Sequence, residues 1–413
     1  MNTLLSINNY YYYRGGAETV FLEHNRMFER LGWRVVPFAM RHPENLQTDW
    51  ARYFIDEIEF GHHYSLAGRI ARVPKIIYSS ESRRQVRALV RDTHPNIAHA
   101  HNVYHHLSPS VLAALKRRGV PVVLTLHDLK LACPEAHMLT HDGICERCRG
   151  GRLHNVVVHR CIKGSRMLSG VVWLEALVNR VLRSYQKSVD CFVVPSRFYM
   201  DKLRDWGVLG DNAVHVPNFI DPDVYVPGWA PSDTFVYFGR LSREKGVATM
   251  VRGAARAGVK LRVIGTGPEE PALRALAVDL GADVEFAGYH SGEALRARVR
   301  ECRAVVLPSE WYENAPMSVL EAYALGKPVI GARIGGIPEL VREGETGALF
   351  DSGSVSALAD TLCDWAAYPH EHIVSAGMAG RAWVEDEFSL HRYEQRMQNI
   401  YHDLGARGPE QSP

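Results

Sequence analysis

No apolar run in the 413 residues approaches the roughly 18 needed to cross a membrane. The opening MNTLLSINNYYYYRGG has no basic stretch leading into a long apolar segment, so it does not read as a secretion signal. Both absences point to a cytoplasmic protein. Net charge is nearly missing as well. The 48 Lys and Arg against 46 Asp and Glu leave +2, which excludes a globally basic nucleic-acid binder and an acidic disordered tail. Cysteine is sparse and odd in number, at seven, which suits a reducing compartment better than a disulfide scaffold.

At roughly 150 residues per domain, the length implies two large domains or three small ones. Charge divides the chain in the same way. Residues 1–216 hold 29 basic and 19 acidic side chains (+10), and residues 217–413 hold 19 and 27 (−8). Fifteen of the 20 histidines lie in the first half, so the two halves face different things.

Short apolar runs alternate with helical stretches through both halves. Expected strands are Leu4–Asn8, Trp33–Ala39, Ile97–Ala100, Val120–Leu126 and Cys191–Val194, then Phe235–Gly239, Lys260–Gly265, Val284–Ala287, Ala304–Pro308 and Pro328–Gly331. Expected helices include Ala17–Arg30, Ile76–Arg91, Ser108–Arg118, Val171–Lys187, Gly246–Ala257, Pro316–Leu325 and Val355–Ala367. This rhythm predicts an α/β protein of two doubly wound, Rossmann-like domains. A proline-bearing linker around His215–Gly228 separates them, giving domains at 1–216 and 217–388. The amphipathic Leu390–Leu404 has no strand after it and must pack on something already built. The polar tail Gly405–Pro413 is expected to fray.

Ligands of such sheets bind beyond the carboxyl ends of the strands. After the first strand come Gly15 and Gly16, opening a helix whose N-terminus favours an anion. They do not form the GxGxxG loop of dinucleotide sites. His127 follows the apolar VVLTL run. Arg240 and Lys245, bracketed by Gly239 and Gly246, can both reach a phosphate. Gly265 sits where a nucleotide edge or an ordinary turn would fit. In Pro308–Glu321, Glu313 precedes a helix begun near Pro316 and Glu321 lies on its second turn. Glu321 could accept hydrogen bonds from ribose hydroxyls and Glu313 from a sugar ring, with diphosphate at the helix N-terminus. Together these parts make a nucleotide-sugar site.

These motifs resemble glycosyltransferase family 4, the retaining enzymes of the GT-B fold. The likeness runs through Gly15-Gly16-Ala17-Glu18, Leu124–Asp128, Val194–Phe198, Val216-Pro217-Asn218, Gly239–Gly246, Glu313–Glu321 and Gly335–Glu339, nearly the whole chain. The spacing of seven residues between Glu313 and Glu321 is its most specific mark. The resemblance implies two domains facing across a cleft, an acceptor-side first domain and a donor-binding second one. The last helix, 389–405, would cross back to the first domain. Arg240 and Lys245 would neutralise the donor diphosphate, so catalysis would need no metal cofactor. Glu321 would hold the ribose and Glu313 would sit by the donor sugar. The backbone of Asn314, Ala315, Pro316 and Met317 would bind sugar hydroxyls. Gly265 and Tyr289 would border the base, and His127 and Gly16 would reach the donor from the first domain. The implied reaction moves a hexose from a UDP- or GDP-linked sugar to a saccharide or lipid-linked acceptor, in cell-surface polysaccharide or glycoconjugate synthesis. A GT-B epimerase, a phosphorylase or an inactive sugar-nucleotide-binding subunit are the rival readings.

Two features lie outside that pattern. Residues 129–166 form an insert holding Cys133, Cys145, Cys148 and Cys161, spaced C-x11-C-x2-C-x12-C. One knuckle and two flanking thiols suit a structural zinc; free thiols or disulfides are the alternatives. Arg69, Arg72, Lys75, Arg83, Arg84, Arg87 and Arg91 crowd one stretch of 23 residues. They suggest an anionic membrane surface as partner, with the enzyme peripheral on the inner face of the cell membrane.

Overall fold

In the computed structural model, residues 1–57 and 77–406 are described. Arg69, Arg72 and Lys75 of the basic stretch, and the end of the tail, lie outside them. The chain divides into two compact units. One comprises residues 1–140, 145–216 and 394–413; the other comprises 141–144 and 217–393.

The first unit is built on six parallel strands: β1 (Thr3–Ile7), β2 (Arg34–Phe38), β3 (Ile97–Ala100), β4 (Val122–Thr125), β7 (Cys191–Val194) and β8 (Ala213–His215); between β4 and β7 in the chain come the two-residue strands β5 (Leu139–Thr140) and β6 (Gly143–Ile144), β6 falling in the other unit. Their order is β2-β1-β3-β4-β7-β8. Strands β1, β3, β4 and β7 are buried at every position, as an apolar run covered on both faces requires. Strand β8 was not expected, because His215 was assigned to the linker. Helix Gly16–Arg30 follows β1 and helix Ser80–Thr93 precedes β3. The expected helix over Ser108–Arg118 appears as Ser110–Lys116, and a further short helix, Tyr104–Leu107, precedes it. From the last helix, Leu390–Asp403, the part beginning at Glu394 belongs to this unit, and Tyr401 stacks on Phe28 with ring centroids 5.0 Å apart.

The second unit repeats the plan with β9 (Thr234–Phe238), β10 (Lys260–Ile264), β11 (Val284–Gly288), β12 (Val305–Leu307), β13 (Val329–Ala332) and β14 (Gly347–Phe350). The order is β11-β10-β9-β12-β13-β14, all parallel. Side chains alternate across the sheet. Phe235 and Tyr237 join Val251 and Leu358 on one face, while Val236 joins Leu320 and Tyr323 on the other. Strand order reverses between β9 and β12. In such sheets this switch point sets the ligand crevice at the carboxyl ends of the two strands.

Candidate active site

The crevice of the second unit receives the two most informative segments of the sequence. The loop after β9 carries Arg240 and Lys245; the loop after β12 carries Glu313 and runs into helix Met317–Ala324. Close backbone contact holds the two together. Gly246 adopts φ +67°, and a Cβ there would meet the Pro308 carbonyl oxygen at 1.9 Å, so only glycine lets the loops touch. A Cβ on Gly265, at the end of β10, would meet the Gly239 carbonyl oxygen at the same 1.9 Å.

Glu313 is 6% exposed and accepts two hydrogen bonds on one oxygen. Lys245 Nζ donates from 2.7 Å and Ser309 Oγ from 2.7 Å. Lys245 also stands 4.9 Å from the centre of the Trp311 ring. The Glu313 backbone carbonyl takes the N–H of Gly336 at 2.8 Å, which fixes the loop from behind. Asn218, from the linker, donates its side-chain amide to the Ala315 carbonyl at 2.8 Å. These contacts give Ser309, Gly336 and Asn218 positioning roles that the sequence reading did not assign, although Asn218 and Gly336 stood in its motifs.

Helix Met317–Ala324 begins after Pro316, which takes an extended ψ of 121° and sits as the cap. No side chain caps this end, which leaves first-turn N–H groups for a ligand. Glu321 lies one turn further on. Burial pushes its carboxyl up to about 7, with the charge of Arg296 drawing it back. Arg240 is exposed, and its carbonyl accepts from Tyr237 Oη at 2.8 Å. Tyr289, just past β11, is 71% exposed. Gly265 donates its N–H to the Gly288 carbonyl at 2.8 Å, which ties the β10 and β11 ends together. The structure therefore joins Lys245 to Glu313 directly and sets Glu321 on the helix that follows. Arg240 and Tyr289 stand open at the ends of β9 and β11, with β10 between them.

In the first unit, Gly15 caps helix Gly16–Arg30 without a side-chain bond, and Glu18 in the first turn is buried, its carboxyl raised by burial. His127, two residues past β4, belongs to a column of histidines. His101 Nδ1 and His127 Nε2 are 2.8 Å apart with rings stacked at 15°. His101 stacks in turn on His99, ring centroids 4.6 Å apart. His99 meets Thr125 Oγ1 at 2.7 Å and Tyr401 Oη at 2.6 Å, and Tyr401 Oη also meets His24 Nε2 at 3.0 Å. Burial lowers His127 to about 4 and holds His24, His99 and His101 well below the ordinary value, so the column is neutral at pH 7. The signal for it was the His99-Ala100-His101 repeat at a strand end, where alternate residues share one face.

The four cysteines of the insert line one small cavity of about 10 Å³, and all four are free thiols. Burial pushes Cys148 up to about 12, with the other three adding to the shift. Among the described residues, no three His, Cys, Asp or Glu side chains are placed to hold a metal ion. The structure gathers the thiols and does not form the tetrahedral centre that their spacing suggested.

The family profile "Glycosyltransferase Family 4" matches residues 14–224, half of the chain, and "Glycosyl transferases group 1" matches 230–377. The chain belongs to glycosyltransferase family 4. Its relatives include a GDP-mannose-dependent alpha-mannosyltransferase of Corynebacterium glutamicum, 28% identical over 51% of this chain and 50% of that protein. An alpha-maltose-1-phosphate synthase of Mycolicibacterium smegmatis is 28% identical over 75% of this chain and 79% of that protein. For the mannosyltransferase and others like it, the chain spans about half the relative's length or less. Among solved structures, sucrose-phosphate synthase from Thermosynechococcus elongatus aligns over 98% of this chain and 99% of its own, with a TM-score of 0.74 and 19% identity. The Anabaena protein HepE with UDP and glucose aligns over 98% of this chain and all of its own, at 0.66 and 17%. At that identity the likeness is one of fold, and the fold is GT-B, with two Rossmann-like units.

Proposed function

We propose that this member of family 4 transfers a hexose from a UDP- or GDP-linked sugar to a saccharide or lipid-linked saccharide, with retention at the anomeric carbon. The observation that carries the reading is the Lys245–Glu313 pair in the crevice of the second unit. It is flanked there by Arg240, by Glu321 and by an uncapped helix N-terminus. A nucleoside diphosphate uses all of these at once. Arg240 and Lys245 match its charge, the first-turn amides take phosphate oxygens, and Glu321 accepts from ribose hydroxyls. Relatives named for GDP-mannose, and HepE crystallised with UDP, support the same donor class.

In the proposed reaction the acceptor hydroxyl oxygen bonds to C1 of the sugar on the face that the diphosphate leaves. The C1–O bond breaks toward phosphate, and the departing phosphate oxygen takes the hydroxyl proton. The cations hold the charge that develops on the leaving group, so electrostatic stabilisation and orientation supply the catalysis, with no metal in the step. Glu313 orients the sugar and Lys245 together. His127, neutral and held by His101, is the first-unit group assigned to the donor. No helix among the described residues is long and apolar enough to cross a membrane. A cytoplasmic enzyme peripheral to the inner face is the arrangement that fits a lipid-linked acceptor.

The experiment is a panel of UDP- and GDP-sugars, read first by thermal shift and then by transfer to saccharide and lipid-linked acceptors. One nucleotide should stabilise the protein, and its sugar should appear on an acceptor with the anomeric configuration kept. Inversion, or no nucleotide effect across the panel, would reject the assignment.

A further inference from the structure

Helix Arg166–Leu182 of the first unit buries a mostly polar side and exposes an apolar stripe. Its buried residues are Ser169, Val172, Glu175 and Asn179, three of them polar. Four of its apolar residues, Met167, Leu174, Val181 and Leu182, are 45%, 37%, 71% and 56% exposed, while Leu168, Val171, Trp173, Leu177 and Val178 are half-buried. Met167, Leu174 and Val181 recur every seven residues and so share one face. The short helix Asn155–Val158 packs against this helix and adds Val158, 62% exposed.

Specific contacts fix the polar side inward. Glu175, nearly fully buried, pairs with Lys130 Nζ at 2.9 Å, and Ser169 Oγ accepts the N–H of Ile162 at 3.1 Å. The stripe therefore faces outward because the opposite face is locked. A contiguous apolar face of this kind marks an interaction surface.

Charge decides the partner. Between Arg160 and Lys187 the chain carries Arg160, Lys163, Arg166, Arg180, Arg183 and Lys187, and its sole acid is Glu175, already neutralised within the fold. The cations cluster at both ends of the helix with the apolar stripe between them. Two copies packed stripe to stripe about a two-fold axis would bring cationic ends together. An anionic bilayer meets both features, taking the stripe among its acyl chains and the end charges at its phosphates. A second cationic surface in the same unit agrees. Arg83, Arg84, Arg87, Arg91 and Arg118 line an open groove of about 450 Å³.

We propose that helix Arg166–Leu182 is an interfacial helix that lies flat on an anionic membrane. The inference deepens the peripheral placement proposed above by naming the surface that binds, and it does not depend on the transfer reaction. The test is vesicle flotation of the full chain, with phosphatidylcholine alone and with phosphatidylcholine containing phosphatidylglycerol. The wild type should float with the anionic vesicles only. The exposed-stripe variant Leu174→Gln/Val181→Gln/Leu182→Gln should reduce that binding about tenfold at unchanged charge, and Arg166→Gln/Lys187→Gln should make the remainder less salt-sensitive. Thermal melts with UDP and GDP serve as the folding control, and loss of a nucleotide effect there would bear on the donor site alone. The proposal is overturned if the stripe variant floats like wild type. It is equally overturned if only Arg84→Gln/Arg87→Gln/Arg118→Gln abolishes flotation. A concentration-dependent dimer that the stripe variant loses, with no vesicle binding, would assign the face to a second copy instead.

Discussion

Lys245 Nζ lies 2.7 Å from Glu313 Oε1, so the cation assigned to the donor diphosphate is already engaged by the carboxylate assigned to the donor sugar. Their side chains are 25% and 8% exposed, so neither charge is fully hydrated. Removing the lysine strands a buried carboxylate. Lys245→Ala should therefore cost about 1–3 kcal/mol of stability and abolish transfer. Glu313→Gln keeps the shape of the site and releases the lysine. Nucleoside diphosphate affinity should then hold or rise while turnover falls by roughly two orders of magnitude or more. Calorimetry with UDP and GDP, alongside turnover, separates the two effects. Parallel loss of affinity and turnover in Glu313→Gln would contradict a shared lysine.

Glu321 makes a pH prediction of definite sign. Its folded value near 7 lies above the ordinary carboxyl value of 4.5, so the folded protein holds the proton that the unfolded chain releases. Its contribution to stability is complete below 4.5 and is lost as pH rises to about 7. Glu321→Gln removes that penalty. It should raise the melting temperature at pH 8, by an amount equivalent to about 1–3 kcal/mol, and change it little at pH 4.5. The same variant should weaken nucleotide binding, because the amide is a poorer acceptor for ribose hydroxyls. An equal shift at both pH values would show that burial is not what raises the carboxyl.

The hydrogen bond between His101 and His127 should matter to turnover more than to folding. It occupies His127 Nε2 and leaves Nδ1 as the other ring nitrogen, so His101 holds the ring's orientation and couples the tautomers of the two rings. His101→Ala should lower kcat about tenfold or more with a smaller change in KM, and His101→Asn should recover part of the loss. The column also predicts acid sensitivity. With folded values below 6.5, stability is fully present above that pH and declines as pH falls through it toward 4. If His101→Ala changed only the melting temperature, the positioning role would fail.

Much of this architecture was legible in the sequence because parallel strands buried on both faces read as uninterrupted apolar runs. Strand β8 escaped because it is three residues long with one buried side chain, and β14 because glycine and half-buried positions blur its pattern. Helix His370–Glu387 escaped because glycines interrupt it. Gly377 is there for close packing, since a Cβ would meet the Gly326 carbonyl at 2.1 Å. In the site, Lys245, Glu313 and Glu321 were visible because they stand at strand ends and a helix start. The histidine column was not. Only the His99-Ala100-His101 alternation is local; His24 and Tyr401, which complete the column, stand 377 positions apart. Zinc was suggested by spacing alone, and spacing does not say how thiols turn once the chain is folded.

The cysteines supply the last prediction. All seven are free, so denatured protein prepared without reductant should titrate as seven thiols; five or three would indicate one or two disulfides. In the native state Cys363 is exposed and should alkylate first. Cys302 and Cys133 are buried, with thiols pushed up by burial to about 12 and about 11, so at pH 7 they stay protonated and shielded. Cys145 and Cys161 stand half-exposed at the insert cavity and should react between these extremes. Mass spectrometry of a timed iodoacetamide reaction reads this order. Metal content measured on the same preparation tests the spacing argument directly. One tightly held zinc per chain, with all four insert thiols protected until a chelator is added, would mean that the thiols turn inward around an ion. An order set by exposure alone would leave the cavity to the thiols themselves.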